Sequence, residues 1–365
     1  MLAWLQYANG HNKRKRNRGV ASVRTKAAGL LIGLLLPVVS TFAGESPLKR
    51  VSFIPQWAPQ AQFAGYYVAF EKGFYRDVGL EVEILRGGPD RPPLDLLSKG
   101  PVQFGTLFLA TGIQAHAQGA PLINIAQIIQ RSTQMLVAKK SKGIWTPADL
   151  NGKKVGLWGP EYQLLPRAFF RKYNLSVTPV PQSMTLNLFL RGGVDAASAM
   201  WYNEYHTIIS SGVEPDQLTT FFFFDYGMNF PEDGIYCRIE TYRDEPQTCR
   251  GLVQASLEGW RYALAHPEEA LDIVMSYVDR ANLATDRCHQ KWMLEHILHA
   301  IRPVDGGAGS GNTATREQPP ADQVQDLPLG VLRQNDYETV ARELQQAGLI
   351  EKSPEFTQFY VNCAP

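Results

Sequence analysis

Three segments carry the groups best suited to hold a flat, nitrogen-rich ring: Gln56-Trp57, Trp158-Gly159 and Trp201-Tyr202-Asn203-Glu204. Each follows a short β-rich run, and in open α/β sheets ligands sit beyond the carboxyl ends of the strands. Indole and phenol rings there would sandwich a heteroaromatic ligand, each stack worth about 0.5–1.5 kcal/mol beyond area burial. Glu204 adds direction, because a carboxylate accepts paired hydrogen bonds from an exocyclic amine and a protonated ring nitrogen beside it. The competing reading is that Glu204 simply occupies the first turn of a helix, where the dipole favours acids. Trp57 equally suits a rim or a core. Trp201 and Tyr202 are strand neighbours that point to opposite faces, so one of them reaches the cleft. Tyr226 follows the run 221–224, which itself reads as buried strand, and is a further ligand candidate. Gly87-Gly88-Pro89-Asp90-Arg91 offers backbone N–H groups and a guanidinium to an anion, but reads first as a plain turn. None of the seven histidines has a partner at metal-ligand spacing, so His116, His206 and the rest are read as solvated or packed, and no metal is expected. No GxSxG, HExxH or Walker pattern is present, and neither a catalytic residue nor a cofactor is assigned.

Groups at strand ends need a sheet to hold them. From Arg50 onward the chain alternates short β-rich runs with amphipathic runs of helix length, the pattern of a parallel sheet covered by helices, so the class is α/β. Strands are expected at 51–54, 80–85, 102–104 and 122–130, with helices at 65–76, 94–98 and 111–118. A second unit repeats the alternation, with strands at 154–158, 177–180 and 197–201 and helices at 164–173 and 186–191. Residues 221–224 and 234–239 then lead back. The expected lobes are 44–138 with 241–365, and 139–240, joined by two crossings that make a hinge. Helices at 253–265 and 268–277 would pack on the first lobe, and 303–323 reads as a Gly/Pro/polar loop.

The first 43 residues hold seven Lys/Arg and no acid, then the 13-residue apolar run 27–39 and small residues before Ala43. This reads as a secretory signal cleaved near Ala43; the run is short for a membrane span and contains Gly33 and Pro37. Cleavage leaves 322 residues with 29 basic and 35 acidic side chains, a net charge of about −6. Such a chain lacks the basic face that nucleic acid requires. Cys237, Cys249, Cys288 and Cys363 form no CxxC or Cys/His cluster. In an oxidising compartment three pairings are open, of which Cys237 with Cys249 and Cys288 with Cys363 is the working expectation.

Phe63-Ala64-Gly65-Tyr66-Tyr67-Val68-Ala69 with Glu71-Lys72-Gly73-Phe74-Tyr75, the run from Asp149 to Gly156, Gly192-Gly193-Val194-Asp195-Ala196 and Trp201-Tyr202-Asn203-Glu204-Tyr205 together resemble the NMT1/THI5-like proteins. The resemblance spans most of residues 50–300. It implies a periplasmic binding protein of type II, monomeric, whose two lobes close on a small molecule and hand it to ABC permease subunits in the inner membrane. The ligands it implies are thiamine-precursor pyrimidines such as a formylaminopyrimidine, with riboflavin or an alkanesulfonate as alternatives. A ligand-sensing module is another use of the same fold. The family also holds pyrimidine synthases that consume a histidine and pyridoxal phosphate. Where those carry a Lys and a donor His, an ungapped reading puts Leu107 and Thr111, and Met228 to Asp233 replaces their cysteine-rich run. Without an amine for a Schiff base the synthase chemistry has no handle. The reading is therefore a binder, with Thr111 counted among the residues lining its cleft.

Overall fold

The computed structural model describes residues 47–303 and 327–365. The expected leader and residues 304–323 of the polar loop lie outside the described residues. Two five-stranded mixed sheets organise the chain. The first has the order β2-β1-β3-β10-β4, built from β1 (Lys49–Ile54), β2 (Leu80–Ile84), β3 (Phe104–Phe108), β4 (Leu122–Gln127) and β10 (Asp233–Arg238). The second has the order β7-β6-β8-β5-β9, from β5 (Gln134–Lys139), β6 (Lys154–Leu157), β7 (Thr178–Pro181), β8 (Ala196–Met200) and β9 (Leu218–Phe222).

Each sheet is parallel except for one strand that arrives through a crossing. β10 runs antiparallel between β3 and β4, and β5 runs antiparallel between β8 and β9. The crossings therefore fall between Gln127 and Gln134 and between Phe222 and Asp233. This corrects the boundaries expected at 138/139 and 240/241, because β5 belongs to the second sheet and β10 to the first. The run 122–139 is almost uniformly buried, so nothing in its apolar pattern marks where one sheet yields to the other.

Fully buried strands read as continuous apolar runs, and β3, β4 and β10 are buried along nearly their whole length. The expected helix 65–76 divides into Ala64–Glu71 and Phe74–Asp77, because Gly73 takes φ 83°. Ala64–Glu71 lies against the long helix Pro246–Ala265 at two glycines. A Cβ on Gly259 would stand 2.0 Å from the Gly65 carbonyl oxygen, and one on Gly65 2.2 Å from the Trp260 ring. The helix Pro246–Ala265 also touches β2 and β4 of the first sheet, and Pro267–Arg280 packs on it and on Ala64–Glu71. The chain ends on that sheet too: the Val361 N–H donates to Asn124 O and the Cys363 N–H to Ile125 O, at 3.0 and 3.1 Å, along the free side of β4. Among the described residues no helix is long and apolar enough to cross a membrane.

Candidate functional site

β1, β3, β6 and β8 all end where the two sheets face each other across the crossings. A cavity of about 40 Å³ lies there. Phe108 and Ala110 line it from the end of β3, Tyr162 and Leu164 from beyond β6, Met200 from the end of β8, and Ser132, Gln134 and Glu232 from the crossings. No Lys, Arg or His lines it. The space holds about two or three waters, far less than the hundreds of cubic ångströms typical of ligand pockets.

Three carboxyl groups converge on this region. Glu232 accepts hydrogen bonds from the Thr133 N–H at 2.5 Å and the Thr133 hydroxyl at 2.8 Å. Asp233 accepts from Gln62 Nε2 at 2.8 Å and from Gln56 Nε2. Glu204, at the start of the helix Glu204–Ser210, accepts from the Met200 N–H at 2.9 Å and from Asn203 Nδ2 at 3.1 Å. Burial pushes Glu204 and Asp233 up to about 7 and Glu232 to about 8, against the pull of these hydrogen bonds. All three charges act on Tyr202, and Asp233 and Glu204 also act on Tyr162; with burial as the main cause, both phenols lie above the usual tyrosine range.

The residues singled out from the sequence divide. Gln56 holds Asp233, and Trp57 packs half-buried on the core cluster that also takes in Trp158, Tyr162 and Tyr202. Trp158 meets the Tyr162 ring edge-on at 5.9 Å between centroids, and Phe108 meets it at 5.7 Å. Tyr202, not Trp201, faces the carboxyl groups. Trp201 turns to the other face of its sheet, against Phe222 and His296 at 5.5 and 4.2 Å. Tyr226 packs on Phe169, Tyr173 and Phe221 inside the second lobe, away from the cavity. Thr111 lies one residue past the lining residue Ala110 and does not itself line the cavity. Gly87 to Arg91 form a turn, closed by the Arg91 N–H on Gly88 O, and Gly87 is packed under the Pro55 carbonyl. Glu232, Asp233, Tyr162 and Thr133 were not anticipated.

All four cysteines are free thiols, with Cys237 and Cys249 sulfurs 4.0 Å apart. The expected Cys288–Cys363 partnership is corrected: Cys288 is exposed on the helix Arg287–Ala300, whereas Cys363 is buried and acts electrostatically on Cys237.

A histidine seam joins the lobes beside Glu204. His206 Nδ1 and His289 Nδ1 lie 2.8 Å apart, His289 Nε2 is 2.8 Å from Asn203 Oδ1, and the Trp292 indole donates to Trp201 O at 3.0 Å. Asn203 Oδ1 only accepts, so His289 Nε2 carries the proton and His289 Nδ1 accepts from His206. Both rings are held below the ordinary histidine value, by burial first and, for His289, by His206; Asp286 opposes this in each. Among the described residues no group of three or more His, Cys, Asp or Glu is arranged to hold a metal ion.

Two α/β lobes, two crossings and a small, mostly apolar cavity between them define the periplasmic-binding-protein fold. The chain belongs to the NMT1/THI5-like family, whose model matches residues 60–270. It is similar to the formylaminopyrimidine-binding protein of Halalkalibacterium halodurans, 22% identical over 79% of this chain and 91% of that one. It is also similar to the riboflavin-binding protein RibY of Chloroflexus aurantiacus, 26% identical over 76% and 84%. Its fold is that of the aliphatic sulphonate-binding protein SsuA of Escherichia coli, with a TM-score of 0.61 at 14% identity over 86% of this chain and 92% of that one.

Proposed function

We propose that this chain is the periplasmic solute-binding subunit of an ABC importer, monomeric and released from a leader cut near Ala43. Its solute is a heteroaromatic nutrient, a thiamine-precursor pyrimidine of the formylaminopyrimidine kind. One observation carries the choice of solute: the cavity is lined by Glu232, Glu161 and Tyr162 and by no cationic side chain, and the buried carboxyls Glu204 and Asp233 act with Glu232 on the neighbouring Tyr202. Buried carboxyls reward a ligand that presents N–H donors and penalise an anion. A sulfonate would lack a countercharge here, although the fold is shared with a sulphonate-binding protein. Riboflavin is the second reading, favoured by the similarity to RibY. The synthase reading is disfavoured by Leu107, a buried β3 residue that offers no amine.

The test is a thermal-shift screen of residues 44–365 against formylaminopyrimidine, 4-amino-5-hydroxymethyl-2-methylpyrimidine, riboflavin and an alkanesulfonate. A ligand at 100 times its dissociation constant adds about 2.7 kcal/mol. A shift with the pyrimidines is expected. A response to riboflavin alone would move the solute while keeping the role, and a response to the sulfonate alone would overturn the account of the carboxyl groups.

A further inference from the structure

Ser132 lies on the first crossing and is 2% exposed, yet its hydroxyl has no hydrogen-bonding partner. It lines the cavity between the lobes. Its backbone is fixed: the Ser132 N–H donates to Asn229 Oδ1 at 2.9 Å, and Asn229 Nδ2 donates to Gln130 O at 3.0 Å, so the second crossing pins the first. A buried hydroxyl left unpaired in a well-packed segment is costly, and such groups persist where a ligand or water completes them. Thr133, the next residue, holds Glu232 by its N–H and its hydroxyl, which turns that carboxyl to the same cavity. The two crossings thus bring a hydroxyl and a carboxyl to one cavity, whose lining also holds Gln134 and Glu161 among the apolar walls of Phe108, Leu164 and Met200.

Resting on the importer reading above, we propose that Ser132 is a specificity-determining ligand contact. Its hydroxyl, paired with the Glu232 carboxyl, takes the edge of a planar heterocycle on which an amino N–H stands beside a ring-nitrogen acceptor. The serine hydroxyl both donates and accepts, so it serves either atom of that edge. Both groups lie on the crossings and not on a mobile lobe face, so the edge is read at the hinge, and closure adds the aromatic walls.

The experiment titrates 4-amino-5-hydroxymethyl-2-methylpyrimidine, and the same compound without its 4-amino group, into wild type and Ser132→Ala by calorimetry, with thermal unfolding alongside. Ser132→Ala is expected to bind the amino compound about tenfold more weakly, a loss of about 1.4 kcal/mol, without a lower melting temperature. The penalty for removing the amino group should also shrink in the variant. Equal affinity in wild type and Ser132→Ala overturns the inference and leaves the function standing. So does an amino-group penalty of the same size in both proteins, which would assign Ser132 to packing or to a bound water. Failure of the wild type to bind either compound removes the pyrimidine reading itself, and the inference with it.

Discussion

Glu204→Gln keeps the side chain's shape but puts an amide N–H₂ where one oxygen now accepts from the Met200 N–H or from Asn203. Trp57→Ala removes a half-buried ring from the cluster shared with Trp158, Tyr162 and Tyr202. Each should weaken pyrimidine binding about tenfold or more, roughly 1.4 kcal/mol, and Glu204→Gln should also cost about 1–3 kcal/mol of stability through the donor it leaves unpaired. Trp201→Ala and Tyr226→Ala should do the reverse: Trp201 is core and Tyr226 is half-buried against the core, so the urea midpoint falls by an amount corresponding to about 3–5 kcal/mol for Trp201→Ala and by less for Tyr226→Ala, while the dissociation constant holds. Titration calorimetry beside urea unfolding separates the two pairs, and a loss of affinity confined to Trp201→Ala would mean that the cavity has been misplaced. The carboxyl groups predict a pH effect of definite sign. Glu232 ionises near 8 in the fold and near 4.5 in the unfolded chain, so its contribution to stability is complete below pH 4.5 and is lost as the pH rises through 8. The unliganded protein should therefore melt lower at pH 8.5 than at pH 6, and Glu232→Gln should flatten that slope. Part of the surroundings was legible in the sequence, which has Trp201 and Tyr202 point to opposite sides: they lie in the turn just past β8, Trp201 against Phe222 and His296 and Tyr202 toward the carboxyl groups. Glu232 and Asp233 were not, because they stand at the start of a strand and the rule for open α/β sheets points to strand ends. β10 runs antiparallel, so it presents its beginning, not its end, to the same cleft.

At the scale of elements, the alternation of β-rich and helical runs reveals both sheets, but it does not show that β5 and β10 change partners. That depends on hydrogen bonding across sheets, which leaves no mark on an apolar run. The close approach of Ala64–Glu71 to Pro246–Ala265 depends on two positions without a Cβ. Gly259→Ala must push apart backbone rather than a flexible side chain, and should cost about 1–3 kcal/mol in urea unfolding, with the ligand affinity unchanged. The helices Glu204–Ser210 and Arg287–Ala300 belong to different lobes and meet through His206 and His289. Protonating His289 puts an N–H on its Nδ1 against the N–H of His206, whereas His206 takes its extra proton at Nε2 and leaves the bond between the rings intact; Asp286 favours the protonated form of both.

For the whole molecule, that seam links pH to lobe separation. Both rings are held below the ordinary histidine value, so the contact they make across the lobes is expected to be kept above that range and to loosen as the pH falls through it. Fluorescence transfer between dyes on the two lobes should report opening from pH 7.5 to pH 5.5 in the unliganded protein. His289→Gln, whose amide nitrogen still reaches Asn203 without titrating, should remove most of that response. An unchanged response would exclude the seam as the sensor.

The place of β10 has one more consequence, for the order in which the protein is made. It fills the gap between β3 and β4, both of which leave the ribosome long before it, with the whole second sheet synthesised in between. The first sheet therefore cannot close on a nascent chain until the second crossing has emerged, and non-local pairing of this kind is slow to form. A chain truncated after Phe230 should show no amide-exchange protection in β3 and β4, whereas the second sheet has all its strands by then. If the chain is exported as proposed, the delay keeps its first sheet open for as long as its missing centre strand is still being translated.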